Sequence, residues 1–359
     1  MERRQVMIAG RPIGAGAPVF IVFEGGATHT GFESARRMVE LAAEAGADAV
    51  KFQTVFARNM MSSEDVPFDY GTLEGKKQES LFEILKRREL SYDEWARVHG
   101  RAEERGVIFF STPDTPESID FLVRIGTPAI KIAGGDMNNY PLIAHAAATK
   151  LPVLLDTRGT LGDLEKAVET CVREGNEQII IVHCPSGYPS DVESIQLRII
   201  ELYRRLYPFP VGFSDHSPGR DMDVAAIALG ADFIEKTITF DRSAPGPEHI
   251  MSLIPDELGE FVVRLREVEQ GLGTPFAKIP DEGGRKSMQK VRRSIVMARR
   301  AMAGETITAS MVAYKRPGYG IPPELVSLVI GCTLRADVEQ DAPLRWEALM
   351  GRDDRATSG

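Results

Sequence analysis

Lys51 and Lys131 each interrupt an apolar run, Ala49-Val50-Lys51-Phe52 and Ala129-Ile130-Lys131-Ile132. An ammonium group in such a setting needs a partner or a ligand. With Lys236 they form a local positive site in a chain of net charge −9, which suits a small phosphorylated or carboxylated substrate. Other apolar runs also end in polar residues: Glu24, Gln53, Ser111 and Thr112, Asp156 and Thr157, His183, Ser186 and Tyr188, Ser214, Asp215 and His216, Glu235 and Thr237. His216, in a Gly-Phe-Ser-Asp-His turn, reads as functional, and His183 as a satisfied interior histidine. His29, in the Gly-rich loop near Glu24, fits either reading. Glu235-Lys236 is either a structural ion pair or part of the site. Cys184 reads as a packed thiol, because the sequence pairs no base with it.

Such residues act together only if a frame gathers the ends of their strands. Apolar, β-branched runs at 19–23, 49–52, 107–111, 129–132, 153–156, 179–183, 211–214 and 233–237 read as strands covered on both faces. Between and after them, 33–45, 92–104, 116–125, 140–148, 161–174, 192–206, 223–229 and 255–270 read as helices. Asp93, Ser118 and Asp221 read as caps at their starts, and Gly46, Gly106, Gly126, Gly175 and Gly230 as their ends. This alternation predicts an α/β fold, a (β/α)8 TIM barrel, whose chemistry lies at the C-terminal strand ends. The expected division is a barrel over 1–272, a linker over 273–290, a small β-rich domain over 291–350 and a frayed tail over 351–359. The small domain's strands are expected at 293–298, 306–308, 326–330 and 333–334.

Composition narrows the function. The chain has 359 residues, 43% hydrophobic and 26% charged, as expected of a globular protein. With 52 acidic against 43 basic residues, it is a poor partner for nucleic acid or an anionic membrane. No apolar run reaches the roughly 18 residues of a membrane span, and the opening reads as no signal peptide. Cys171, Cys184 and Cys332 are too few and scattered for a disulfide framework or a cysteine metal site, so a reduced, cytoplasmic setting is expected. No GxGxxG or GxxxxGK[ST] follows a strand, so no nucleotide cofactor is expected.

Several segments together resemble the sialic acid synthase (N-acetylneuraminate synthase) family. They are 20–31, Ala45-Gly46-Ala47-Asp48-Ala49-Val50-Lys51-Phe52-Gln53-Thr54, Phe110-Ser111-Thr112-Pro113, Lys131 with Asn139-Tyr140-Pro141-Leu142, His183-Cys184 with Tyr188-Pro189, 211–216, and Pro245-Gly246-Pro247-Glu248-His249. Arg292-Arg293-Ser294-Ile295-Val296 and Lys315-Arg316-Pro317-Gly318-Tyr319-Gly320-Ile321 are similar to its antifreeze-like (SAF-type) domain. The resemblance implies condensation of phosphoenolpyruvate (PEP) with a sugar-like aldehyde, giving a 2-keto-3-deoxy acid of nonulosonic type and phosphate. It implies PEP contacts at Lys51, Thr112, Lys131, Ser186 and Ser214, and acceptor contacts at Gln53, Tyr188, Glu248 and Arg316. Catalytic roles fall on Glu24, Asp136 and His216. It also implies a domain-swapped homodimer in which Arg316 acts in trans, and a divalent ion, manganese or magnesium, on two histidines.

The chain departs from that pattern at the site. His216 keeps one metal position, but Thr237 replaces the second histidine. A neutral hydroxyl is a weaker ligand than imidazole, so metal binding is expected to be weak or absent. Gly134 stands where the family usually has serine, and Asp136 where it has glutamate. Asp156-Thr157-Arg158-Gly159 replaces a Ser-Thr-Gly motif, and Arg158 either meets a charged substrate or faces solvent. The expected function is therefore a PEP-dependent synthase with an altered acceptor or metal requirement. The alternatives are a non-catalytic relative that keeps a PEP-shaped pocket, and a Schiff-base aldolase using Lys131 or Lys236.

Overall fold

The computed structural model describes residues 3–273 and 280–350. The chain divides after Gly273 into two compact units. In the first, eight parallel strands close on themselves: β1 (Phe20–Glu24), β2 (Ala49–Thr54), β3 (Ile108–Pro113), β4 (Ile130–Ile132), β5 (Val153–Asp156), β6 (Ile179–His183), β7 (Val211–Asp215) and β8 (Phe233–Thr237). The seam is β8 against β1, with Phe233 opposite Phe20 and Thr237 opposite Glu24.

Successive residues of a strand face opposite ways, and this alternation divides the core. Alternate positions such as Val50, Phe52, Ile130, Ile132 and Ile234 face the helices and pack into one large cluster. Their neighbours Phe20, Val22, Ala49, Phe110, Ala129, Leu154, Val182 and Phe233 fill the barrel itself. An antiparallel hairpin, Gln5–Ile8 with Arg11–Gly14, adds Val6, Ile8 and Ile13 to that inner cluster. On β7 the inner position Gly212 faces Phe233, and a Cβ there would come within 2.7 Å of its ring. Gly212→Ala should therefore cost about 1–3 kcal/mol of stability through overpacking, read as a lower urea midpoint with an unchanged slope.

Several helices start where a side chain satisfies a free N–H group. Ser91, two residues before the expected Asp93, caps Tyr92–Arg105 with Glu94 closing a capping box. Thr115 takes the place expected of Ser118. Arg220, rather than Asp221, precedes Asp221–Ala228 and makes no side-chain cap. The helix expected over 192–206 is two pieces, Val192–Ile195 and Ile199–Leu206, broken at Gln196 with φ 45°. Gly46 and Gly106 end their helices in the left-handed conformation. The connection after β2 carries an unforeseen hairpin, Pro67–Thr72 with Gly75–Ser80, and a helix, Leu81–Lys86.

In the second unit, Ser294–Met297 pairs antiparallel with Val312–Lys315, and Thr333–Leu334 with Leu349–Met350. Ile295, Met297, Ile307, Ile321, Leu334 and Leu344 form its core. Two expectations change here. Val326–Val329, read as a strand, is a helical turn, and residues 306–308 contribute one bridge, Thr306 with Thr333. A helix, Glu282–Val291, occupies part of the expected linker, capped by Asp281. Its partly helical spacing was masked by Gly283-Gly284. Residues 274–279 of that linker and the expected frayed tail 351–359 lie outside the described residues.

Candidate active site

The same alternation that sends Phe20, Ala49, Phe110, Ala129 and Phe233 into the barrel carries polar residues to its mouth. Two or four positions further along each strand stand Glu24, Lys51 and Gln53, Thr112, Lys131 and Glu235. Asp156 follows Leu154 and Ser214 follows Gly212 in the same way. All of these line one cavity of about 550 Å³, within the usual size range of small-molecule sites.

At its floor, two lysines share one carboxylate. Lys131 Nζ lies 2.6 Å from Glu235 Oε1 and 3.2 Å from Asp156 Oδ2. Lys51 Nζ lies 3.5 Å from the same Glu235 oxygen and 2.7 Å from Glu24 Oε2. Ser214 Oγ donates to Glu235 at 2.9 Å, and Lys51 donates to Thr112 Oγ1 at 3.4 Å. All are buried. Burial works to lower Lys131, but Glu235 and Asp156 outweigh it and hold the ammonium well above the usual lysine range. Burial likewise works to raise Glu235, but Lys131 and Lys51 hold it at about 2. Glu24 goes the other way. Its desolvation outweighs Lys51, with Glu235 and Glu248 adding repulsion, and its carboxyl is pushed up to about 7. One acid is thus poised to move a proton near neutrality while its neighbour stays ionised.

Toward the opening, Gln53 Nε2 donates to Glu24 at 3.2 Å. Arg158 Nη1 donates to the Tyr188 hydroxyl at 2.5 Å, and Nη2 reaches Cys184 Sγ at 3.1 Å and His216 Nδ1 at 3.2 Å. Burial pushes the Cys184 thiol up to about 12, so it is an inert packed group. Arg88, 8% exposed, lines the cavity as well. The sequence reading missed it, because Lys86-Arg87-Arg88-Glu89 looks like one solvated run. Arg88 lies in the turn just after the helix Leu81–Lys86, where its N–H donates to the Leu85 carbonyl at 3.0 Å. Met60, Phe68 and Ile84 from the β2 connection supply an apolar wall.

Of the residues expected at the site, Glu24, Lys51, Gln53, Thr112, Lys131, Asp136, Tyr188, Ser214, His216 and Glu248 all line this cavity. Asp136 is held above the usual carboxylate range by desolvation. Ser186 is exposed in the loop that follows β6 and stands apart from the residues that line this cavity. Arg316 stands exposed in the second unit. Glu235 and Lys236 do not pair with each other, since neighbours on a strand face opposite ways. Lys236 turns outward to Asp215, Asp223 at 3.4 Å and the Ser217 carbonyl at 2.6 Å. His183 also faces outward and bonds the Ile195 carbonyl at 2.6 Å. His29 packs edge-on against Trp95, and burial pushes it down to about 3, leaving a neutral ring in the core.

Residues 38–276 match the NeuB family, and residues 292–350 match the SAF domain. The chain belongs to the NeuB family. It resembles curated synthases along nearly its whole length. It is 33% identical to N,N'-diacetyllegionaminic acid synthase of Legionella pneumophila, over 94% of this chain and 97% of that one. It is 32% identical to N-acetylneuraminate-9-phosphate synthase of Homo sapiens, over 95% of each. Among solved structures, the N-acetylneuraminic acid synthetase of Leptospira borgpetersenii superposes with a TM-score of 0.71 at 29% identity, over 80% of this chain and 95% of that one. No helix among the described residues is long and apolar enough to cross a membrane.

The divalent ion implied for a NeuB site does not fit the donors present here. A guanidinium can only donate, and its 3.2 Å contact with His216 Nδ1 is shorter than the 3.5 Å contact of that nitrogen with the Pro185 carbonyl, which favours Nδ1 as acceptor with the ring proton on Nε2. A fully protonated ring has no free lone pair either. Thr237, in the second ligand position, is buried and donates to Glu248 Oε2 at 3.3 Å. Among the described residues no three His, Cys, Asp or Glu side chains converge as a metal-binding group.

Proposed function

We propose that this NeuB-family chain condenses phosphoenolpyruvate with a sugar-like aldehyde, releasing phosphate and a 2-keto-3-deoxy acid of nonulosonic type. The observation that carries this reading is the pair of buried lysines sharing Glu235 at the floor of the cavity. A ligand with a phosphate and a carboxylate can exchange places with the carboxylates that now neutralise them, so its charge is met without burying an unpaired cation. Thr112 and Ser214 add hydroxyls beside them. Gln53, Tyr188, Glu248 and the apolar wall suit a polyhydroxylated acceptor with small apolar substituents, in keeping with the synthases named above.

In the reaction, C3 of PEP donates its electron pair to the aldehyde carbon. A C–C bond forms, and the aldehyde oxygen takes a proton from Glu24. Water adds to the cationic C2 and returns a proton to Glu24. The C2–O bond to phosphate then breaks, the hydroxyl proton leaves with phosphate, and the C2 ketone forms. The protein's part is alignment and charge stabilisation. A homodimer in which Arg316 of the second subunit completes the acceptor site belongs to the same proposal.

The Schiff-base alternative needs a neutral amine, and both Lys131 and Lys236 are held cationic by buried carboxylates. The expected result is phosphate release from PEP when one of a panel of aldoses or acetamido sugars is added, with no adduct trapped by borohydride. Silence across the panel with folded protein, or a trapped adduct, would overturn the reading.

A further inference from the structure

We propose that Arg158 is the electrophile of this site: its guanidinium, fixed beside His216, supplies the positive charge that polarises the acceptor's aldehyde, and the reaction runs without a divalent ion. The inference rests on the synthase reading above.

Three departures from the family pattern become one coupled change. Arg158 enters within the segment that replaces the Ser-Thr-Gly motif, and its donors take the His216 Nδ1 lone pair. The second ligand position is Thr237, already committed to Glu248. Gly134 makes the room, since a Cβ there would come within 2.5 Å of the Arg158 Cβ. A serine at 134 and an arginine at 158 are sterically incompatible in this backbone.

The guanidinium is positioned and still has capacity. Tyr188, Cys184 and His216 fix its two terminal nitrogens, and Arg158 Cζ lies 4.9 Å from the Tyr188 ring centroid. Its Nε is buried and has no partner among the described residues, and the side chain lines the cavity. An unpaired buried N–H is costly unless a ligand meets it. During condensation the carbonyl π pair moves onto oxygen as the C–C bond forms. The guanidinium stabilises that charge and stays protonated, and the proton itself comes from Glu24.

The test is a Mn(II) titration of the full chain followed by electron paramagnetic resonance, paired with turnover. The wild type is expected to leave the free-ion signal undiminished and to keep its full rate after chelation. The double variant Arg158→Gly with Thr237→His should bind an ion and quench the signal. Arg158→Met, and Gly134→Ser through displacement of Arg158, should lower kcat by about 100-fold to 1000-fold, the usual loss for one oxyanion donor. Stoichiometric Mn(II) binding by the wild type, or turnover lost on chelation and restored by manganese, would overturn the proposal. The wild-type titration needs no substrate and no variant. It therefore judges the ion site even if no aldehyde supports phosphate release, an outcome that would instead sink the synthase reading.

Discussion

Lys131→Met should lower kcat/KM for PEP by about a thousandfold, which corresponds to about 4 kcal/mol of lost interaction. The size follows from the contacts. Lys131 is 2% exposed and makes two charge-assisted contacts, with Glu235 and Asp156. In the complex these donors turn to the substrate's anionic groups, and each such bond is worth about 1.5–3 kcal/mol. The variant also leaves Lys51, at 3.5 Å, as the one ammonium facing Glu235, so the floor of the cavity becomes more repulsive to an anion. Most of the loss should fall on KM for PEP, because the lysine grips the substrate before any bond changes. Steady-state rates over a PEP series check this, with circular dichroism confirming the fold. A variant within about tenfold of the wild type in kcat/KM, a difference of only about 1.4 kcal/mol, would remove Lys131 from the substrate site.

Glu24→Gln should cost about 100-fold to 10,000-fold in kcat, the range for a positioned general acid, and should abolish one limb of the pH profile. Burial pushes the Glu24 carboxyl up to about 7. Below that pH it carries the proton that the aldehyde oxygen needs. Above it, the acid form falls by about tenfold per pH unit, and kcat/KM for the acceptor should fall with it. Glutamine cannot donate an acidic proton, so the variant's residual rate should be flat across the same range. The shift also bears on stability. The folded state keeps a proton that the unfolded chain releases at 4.5, so this group's contribution is greatest below 4.5 and is lost as the pH rises through about 7. A variant that keeps the alkaline limb would assign the acid to another group.

Much of the barrel was legible because strands covered on both faces are written as uninterrupted apolar runs. Residues 153–156, 179–183 and 233–237 coincide with β5, β6 and β8. The site followed from the same runs, since a lysine between Ile130 and Ile132 has few ways to be stable. What the runs could not give was the side of the strand on which each charge falls. Counting alternate positions from Phe233 puts Glu235 inside and Lys236 outside, and that count separates the substrate floor from a structural ion cluster. Arg88 was hidden because it sits in a short turn after the helix Leu81–Lys86, inside a run of charges that reads as solvated. The tie between Gly134 and Arg158 was invisible for another reason: it is a steric contact between two loops that are apart in sequence.

Calorimetric titration of PEP into the wild-type chain and into Lys131→Met tests the central claim without any knowledge of the acceptor. The account predicts saturable binding at one site per chain, weakened at least about 100-fold in the variant by the loss of two charge-assisted bonds. Equal binding by the two proteins, or none by the wild type, would contradict it.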